Sequence, residues 1–293
     1  MRRSIQPAIL APVPAAGRFL VFQLRPGADP DASLMRLGAT ELEDSTVVGL
    51  GFPLVEVLRR RLPGLRPFPS MAGPGFAFPS TQGALWAFVG GADSGVTLHG
   101  ALALREVLGE VFTIDEEVQA FLYAGGRDLS GFVDGTENPK AEAAVEAAIV
   151  RGEEGLDGSS FVAVQRWVHD LTHFDRMAPD DRDRVIGRRV SDNRELDDAP
   201  ATAHVKRTAQ ESYDPPAFIV RRSMPYGSVA EHGLYFVAYG ASFDPFERIL
   251  RRMAGLEDGI TDALLRFSRP ATGGYYWCPP RRDGCLDLRL LGL

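Results

Sequence analysis

Two stretches far apart in the chain are written to one plan. "ALWAFVGGADSGVTLHGALALREVLG" (84–109) and "LYFVAYGASFDPFERILRRMAG" (234–255) each begin as an apolar strand and leave it through glycine. Each then makes a short polar turn and continues as an amphipathic helix that stops at another glycine. In the second stretch Phe246, Ile249, Leu250 and Met253 fall at i, i+3, i+4 and i+7, behind an Asp244 placed to open the helix. A chain that repeats strand, turn and helix in this way has to cover sheets with helices, and the repetition implies two α+β halves of one design.

The other elements fit that frame. Strands are predicted at 18–27, 45–51, 83–91, 118–125, 159–170, 216–224 and 233–240, and helices near 31–43, 53–62, 94–109, 140–150 and 179–186. Mixed elements of these lengths suit antiparallel sheets with helices on one face, as in ferredoxin-like units. The expected fold is therefore α+β, two ferredoxin-like halves of the dimeric α/β-barrel type. The expected boundaries are residues 1–150, ending in the motif described below, and residues 151–293, carrying the site.

Composition removes several function classes. A net charge of −7 disfavours nucleic acid and anionic membrane surfaces as partners. Two cysteines, Cys278 and Cys285, make no disulfide framework and, with so few histidines nearby, no zinc site. No segment reaches the apolar length that spans a bilayer. The opening "MRRSIQPAILAPVPAAGRFL" has a basic pair, but its apolar run is interrupted by Pro7, Pro12 and Pro14, so a cytoplasmic location is expected. Phosphate-binding glycine loops, GxSxG and HExxH are all missing from the sequence.

What chemistry remains must come from a few residues. "GFVDGTENP" (131–139) sets Asp134 between a valine and a glycine in a run of turn formers. Either the residues simply make a turn, or the turn exists to aim Asp134. There are five histidines. His99 falls in a predicted helix and His232 in a polar turn. His169 and His173 have the i, i+4 spacing of a metal pair, but His169 ends a strand where His173 only begins a helix. His204 stands alone in "ATAHVKRT". In "IVRRSMPYG" (219–227), strand alternation sends Arg221 and Ser223 to the face of Ile219 and Arg222 to the other. An inward arginine needs a partner, either a structural carboxylate or an anionic reactant.

Together these segments resemble the dye-decolorizing peroxidase family, in its bacterial, unsecreted branch. The resemblance rests on the GxxDG motif (Gly131 to Gly135), "AHVKR", "IVRRSMPYG" and the ending "GLYFVAYGASFDPF…DALLRFSRPATGGYYWCPP", in that order, and reaches back through "VQRWVHDL" to "QPAILAPVPAAGRFLVF". It implies a haem b peroxidase that reduces hydrogen peroxide and oxidises dyes, phenolics or similar small organic reductants. His204 would be the axial ligand of iron, and Asp262 in "GITDALLRF" the carboxylate behind it. Asp134, Arg221 and Ser223 would lie on the peroxide side, and Arg188 in "VIGRR" would meet a haem propionate. The related pattern also uses asparagine at the position of Ser223, so chemistry that depends on an amide there is not implied. A homodimer or larger homo-oligomer is expected, and the tail "RRDGCLDLRLLGL" either packs on the core or docks to a protein shell. The rival readings are a haem carrier or iron-releasing protein using the same pocket, and a haem-free enzyme in which Asp134 and Arg221 pair structurally.

Overall fold

The computed structural model describes residues 3–73 and 75–293. Its main sheet includes β1 (Ala16–Leu24), β2 (Thr46–Gly51), β3 (Leu85–Gly91), β4 (Phe112–Phe121), β5 (Ser160–His169), β6 (Val220–Arg221), β7 (Met224–Gly227), β8 (His232–Gly240), β9 (Ser268–Pro270) and β10 (Gly274–Cys278). Strands of the first part lie in the order β2-β3-β1-β4, and those of the second in the order β10-β5-β8-β7. Each quartet therefore places its first strand beside its third, with the fourth and second at the edges, which is the ferredoxin-like arrangement. The edges meet antiparallel, β10 on β2 through Trp277 and Leu50, and β4 on β7 through Ala120 and Tyr226, so the sheet closes into a barrel.

Alternation along the strands divides the core in two. Phe19, Trp86, Tyr235 and Tyr276 belong to one cluster, in which Phe19 and Tyr235 stack at 4.0 Å and the Trp86 indole N–H donates to the Tyr235 hydroxyl at 3.2 Å. Leu20, Phe22, Val48 and Leu50 point the other way and are covered by α1 (Asp31–Ala39) and α2 (Ser94–Leu108). In the second half α4 (Asp244–Met253) does this with the predicted stripe of Phe246, Ile249, Leu250 and Met253, all buried. The label α3 is given to the short helix His204–Arg207.

Several boundaries differ from the pattern-based expectation. The helix expected over 53–62 stops at Val57, because Arg59 takes a positive φ of 53°. The strand expected over 118–125 begins earlier, at Phe112, and ends at Phe121 before Ala124, Gly125 and Gly126, whose φ angles of 43°, 74° and 102° break extension. The strand over 216–224 survives only as β6 and β7, which keep one register on β8: Arg221 faces Ala238 and Met224 faces Tyr235. Near the C-terminus, Leu286, Leu288 and Leu291 are buried against the core. Among the described residues no helix is long and apolar enough to cross a membrane.

Candidate active site

A cavity of about 290 Å³ opens on the helix-covered face of the second quartet. It draws on both sides of residue 150: Asp128, Asp134 and Glu137 come from the glycine-rich loop, and His204, Arg221 and Arg188 from later segments. Its apolar floor includes Phe236, Phe246, Leu250 and Met253.

The loop explains the position of Asp134. Gly131 and Gly135 take φ angles of 90° and 73°, the left-handed region that side chains disfavour, and the chain folds back on itself between them. Arg127 and Val133 form a bridge, and the Asp134 N–H donates to the Gly126 carbonyl at 3.1 Å. The turn thus points the Asp134 carboxylate at β6, where Arg221 Nη1 lies 3.5 Å from Oδ1. Two amides lock the loop to the strand. Asn138 accepts the Arg221 N–H through Oδ1 and donates to its carbonyl through Nδ2, both at 2.9 Å. Gln210 accepts the Ile219 N–H at 2.8 Å and donates to the Glu137 carbonyl at 3.1 Å. Arg221 Nε is buried with no partner, so the guanidinium keeps donor capacity for something that enters the cavity.

His204 approaches from α3. Its Nδ1 lies 2.8 Å from Asp262 Oδ2, and the other carboxylate oxygen accepts the Leu264 N–H at 2.8 Å. An ionised carboxylate only accepts, so Nδ1 carries the proton and Nε2 has a free lone pair. Asp262 is 1% exposed and fixed at both oxygens. At the mouth Arg188 pairs with Glu137 at 2.5 Å and reaches Glu195 at 3.6 Å, while Lys206 holds Glu195 at 2.7 Å.

Ser223 departs from the expected placement. It is buried, but its hydroxyl accepts the Val237 N–H at 3.3 Å, and it does not line the cavity. The interruption between β6 and β7 leaves that backbone N–H to be satisfied by the side chain, which uses one of the hydroxyl's two acceptor sites.

Motif reading also missed a buried group in the wall. His169 Nε2 lies 3.0 Å from Asp128 Oδ1 and Nδ1 lies 2.7 Å from Ser268 Oγ. Burial alone would raise the Asp128 carboxyl, but the bond and charge from His169, with two bonds from Ser130, hold it below the usual carboxylate range. His173 is exposed on the next helix, so the i, i+4 pair does not converge. No group of three or more metal-ligating side chains that could hold an ion occurs among the described residues. The sequence signal for the wall was the nearness of Asp128 to the glycine motif; nothing local linked it to His169.

Residues 125–283 match the family model described as Dyp-type peroxidase, C-terminal. The dye-decolorizing peroxidase of Mycobacterium tuberculosis is 35% identical, over 92% of this chain and 87% of the relative. The chain belongs to the Dyp-type peroxidase family. Among solved structures, a dye-decolorizing protein from V. cholerae superposes with a TM-score of 0.86 at 30% identity, covering 99% of each chain. A variant of Rhodococcus jostii RHA1 DypB in complex with heme gives 0.83 at 33% identity, covering 93% of this chain and 95% of that one. The likeness thus covers both quartets of the barrel.

Proposed function

We propose that the protein is a haem-dependent peroxidase that reduces hydrogen peroxide and oxidises small organic reductants such as dyes or phenolics. The observation that carries this reading is the pairing of two opposed features in one apolar cavity. One is an imidazole with Nδ1 held by a buried carboxylate and Nε2 free; the other is a carboxylate and a guanidinium side by side.

The residues fit haem as a donor set. His204 Nε2 would bind iron, and Asp262, by holding the Nδ1 proton, raises the electron donation of the imidazole. The apolar floor suits a macrocycle, and Arg188 and Lys206 at the mouth suit its carboxylates. Bound haem supplies an iron centre that accepts oxidising equivalents from peroxide and passes them to the reductant. Asp134 takes a proton from one peroxide oxygen and returns it to the other. Arg221 stabilises the negative charge that develops as the O–O bond breaks. Ser223 holds the backbone of β8 beside them.

The family resemblance supports a homodimer or larger assembly and a cytoplasmic setting; light scattering of purified protein tests the former. For the function itself, the visible spectrum of protein reconstituted with haem is the first measurement, and dye oxidation with and without peroxide is the second. A Soret band with peroxide-dependent turnover is expected. Haem uptake without turnover would favour a carrier or iron-releasing protein, and no uptake would overturn the proposal.

A further inference from the structure

A second cavity, of about 80 Å³, lies on the opposite face of the same strands. Alternation puts Phe236 in the large cavity and Val237 in the small one, and likewise separates Arg221 from Arg222. Apolar residues, Ala11, Val13, Phe19, Phe88 and Val237 among them, make most of its wall, and Arg222, Tyr239 and Ser45 supply its polar side chains.

Arg222 has five N–H donors. One goes from Nη1 to the Arg221 carbonyl and one from Nη2 to the Leu10 carbonyl, both at 2.9 Å. Nε is buried and unpartnered, and among the described residues no carboxylate pairs with this guanidinium, whereas Arg207 has Asp258 and Arg281 has Asp44. Desolvation by burial pulls the Arg222 pKa down, and only Tyr239 works against it. A cation in apolar surroundings without a counter-charge is costly, and the free donors belong to a side chain that lines a cavity. Tyr239, which burial keeps protonated, is a neutral donor beside it.

We infer that this cavity is a binding site for a short-chain aliphatic monocarboxylate, of about acetate to propionate size. The volume corresponds to roughly two or three water molecules at about 30 Å³ each. One cation fits one negative charge, and the apolar wall favours an alkyl tail over a multiply charged inorganic anion, which would leave most of its oxygens unbonded. The site needs no haem, and it touches the large cavity only through the Arg221 peptide that Arg222 holds.

The test is thermal unfolding of the purified protein against sodium propionate, with ionic strength kept constant by sodium chloride. A saturable rise in melting temperature is expected for the natural chain. Arg222→Gln should weaken half-saturation at least tenfold, and Ala11→Leu, which fills the cavity but leaves the guanidinium in place, should do the same. If Arg222→Gln does not fold, Ala11→Leu decides. No saturable rise, or an unchanged half-saturation in Ala11→Leu or in a folded Arg222→Gln, overturns the site; in the latter case the propionate is binding elsewhere, for example at the mouth of the large cavity.

Discussion

Two histidines line the large cavity, each beside a carboxylate, yet they differ in what the imidazole has left. His204 gives Nδ1 to Asp262 and keeps Nε2 free, whereas His169 has Asp128 on one nitrogen and Ser268 on the other. The first suits the ligand role proposed for it; the second is a closed hydrogen-bonded unit. A histidine and a carboxylate in a cavity therefore do not define a metal site, because an unclaimed lone pair is also required.

The strongest test of that contrast removes each imidazole. His204→Ala is expected to lose most bound haem or to show a displaced Soret band, while His169→Ala keeps both. Equal haem content and spectra in His204→Ala and the natural protein would break the comparison at its root. Next come the residues that share the cavity with His204. Arg221→Leu should slow the reaction of ferric protein with peroxide by about 10²–10³, the usual cost of one preorganised charge. Asp134→Ala should slow it less, since water can replace a proton carrier more readily than a fixed cation. Stopped-flow rates at equal haem occupancy rank the two; a slower Asp134→Ala would make the carboxylate the principal catalyst.

A smaller effect is expected behind the ligand. Asp262→Asn withdraws anionic character from His204, so the Fe(III)/Fe(II) potential should move positive in a potentiometric titration. An unchanged or more negative value would remove Asp262 from that role. The smallest effect on the cofactor belongs to Asp128, whose influence is on stability. Its native pKa is depressed, so its contribution is complete above the unfolded value, about 3.9, and is lost as pH falls through the native one. Acid denaturation followed by fluorescence should show a shallower loss below about pH 4 in Asp128→Asn than in the natural chain.

The plan of the fold was readable because it depends on local periodicity: the α4 stripe and the alternation of β8 are visible in any window of the sequence. The segments carrying Asp134, His204 and Arg221 were readable through resemblance, and the structure brings all three into one cavity. Ser223 keeps the parity that alternation gives it, since β6 and β7 hold one register on β8, but its hydroxyl accepts the Val237 N–H and does not line the cavity. His169 with Asp128, Asn138 with Arg221 and Gln210 with Ile219 were invisible in the sequence. They are side-chain pairings across long loops or a turn, specified by the packed structure and not by any repeat.

The double grip of Asn138 on Arg221 has a kinetic meaning. One side-chain amide here replaces a neighbouring strand, holding both the N–H and the carbonyl of a single residue. The Arg221 amide hydrogen can exchange with solvent deuterium only when that grip opens, and the glycine loop must then have moved off the strand. Its exchange rate therefore counts the moments at which the carboxylate and guanidinium lose their common frame, and makes the lifetime of the assembled site measurable without any turnover.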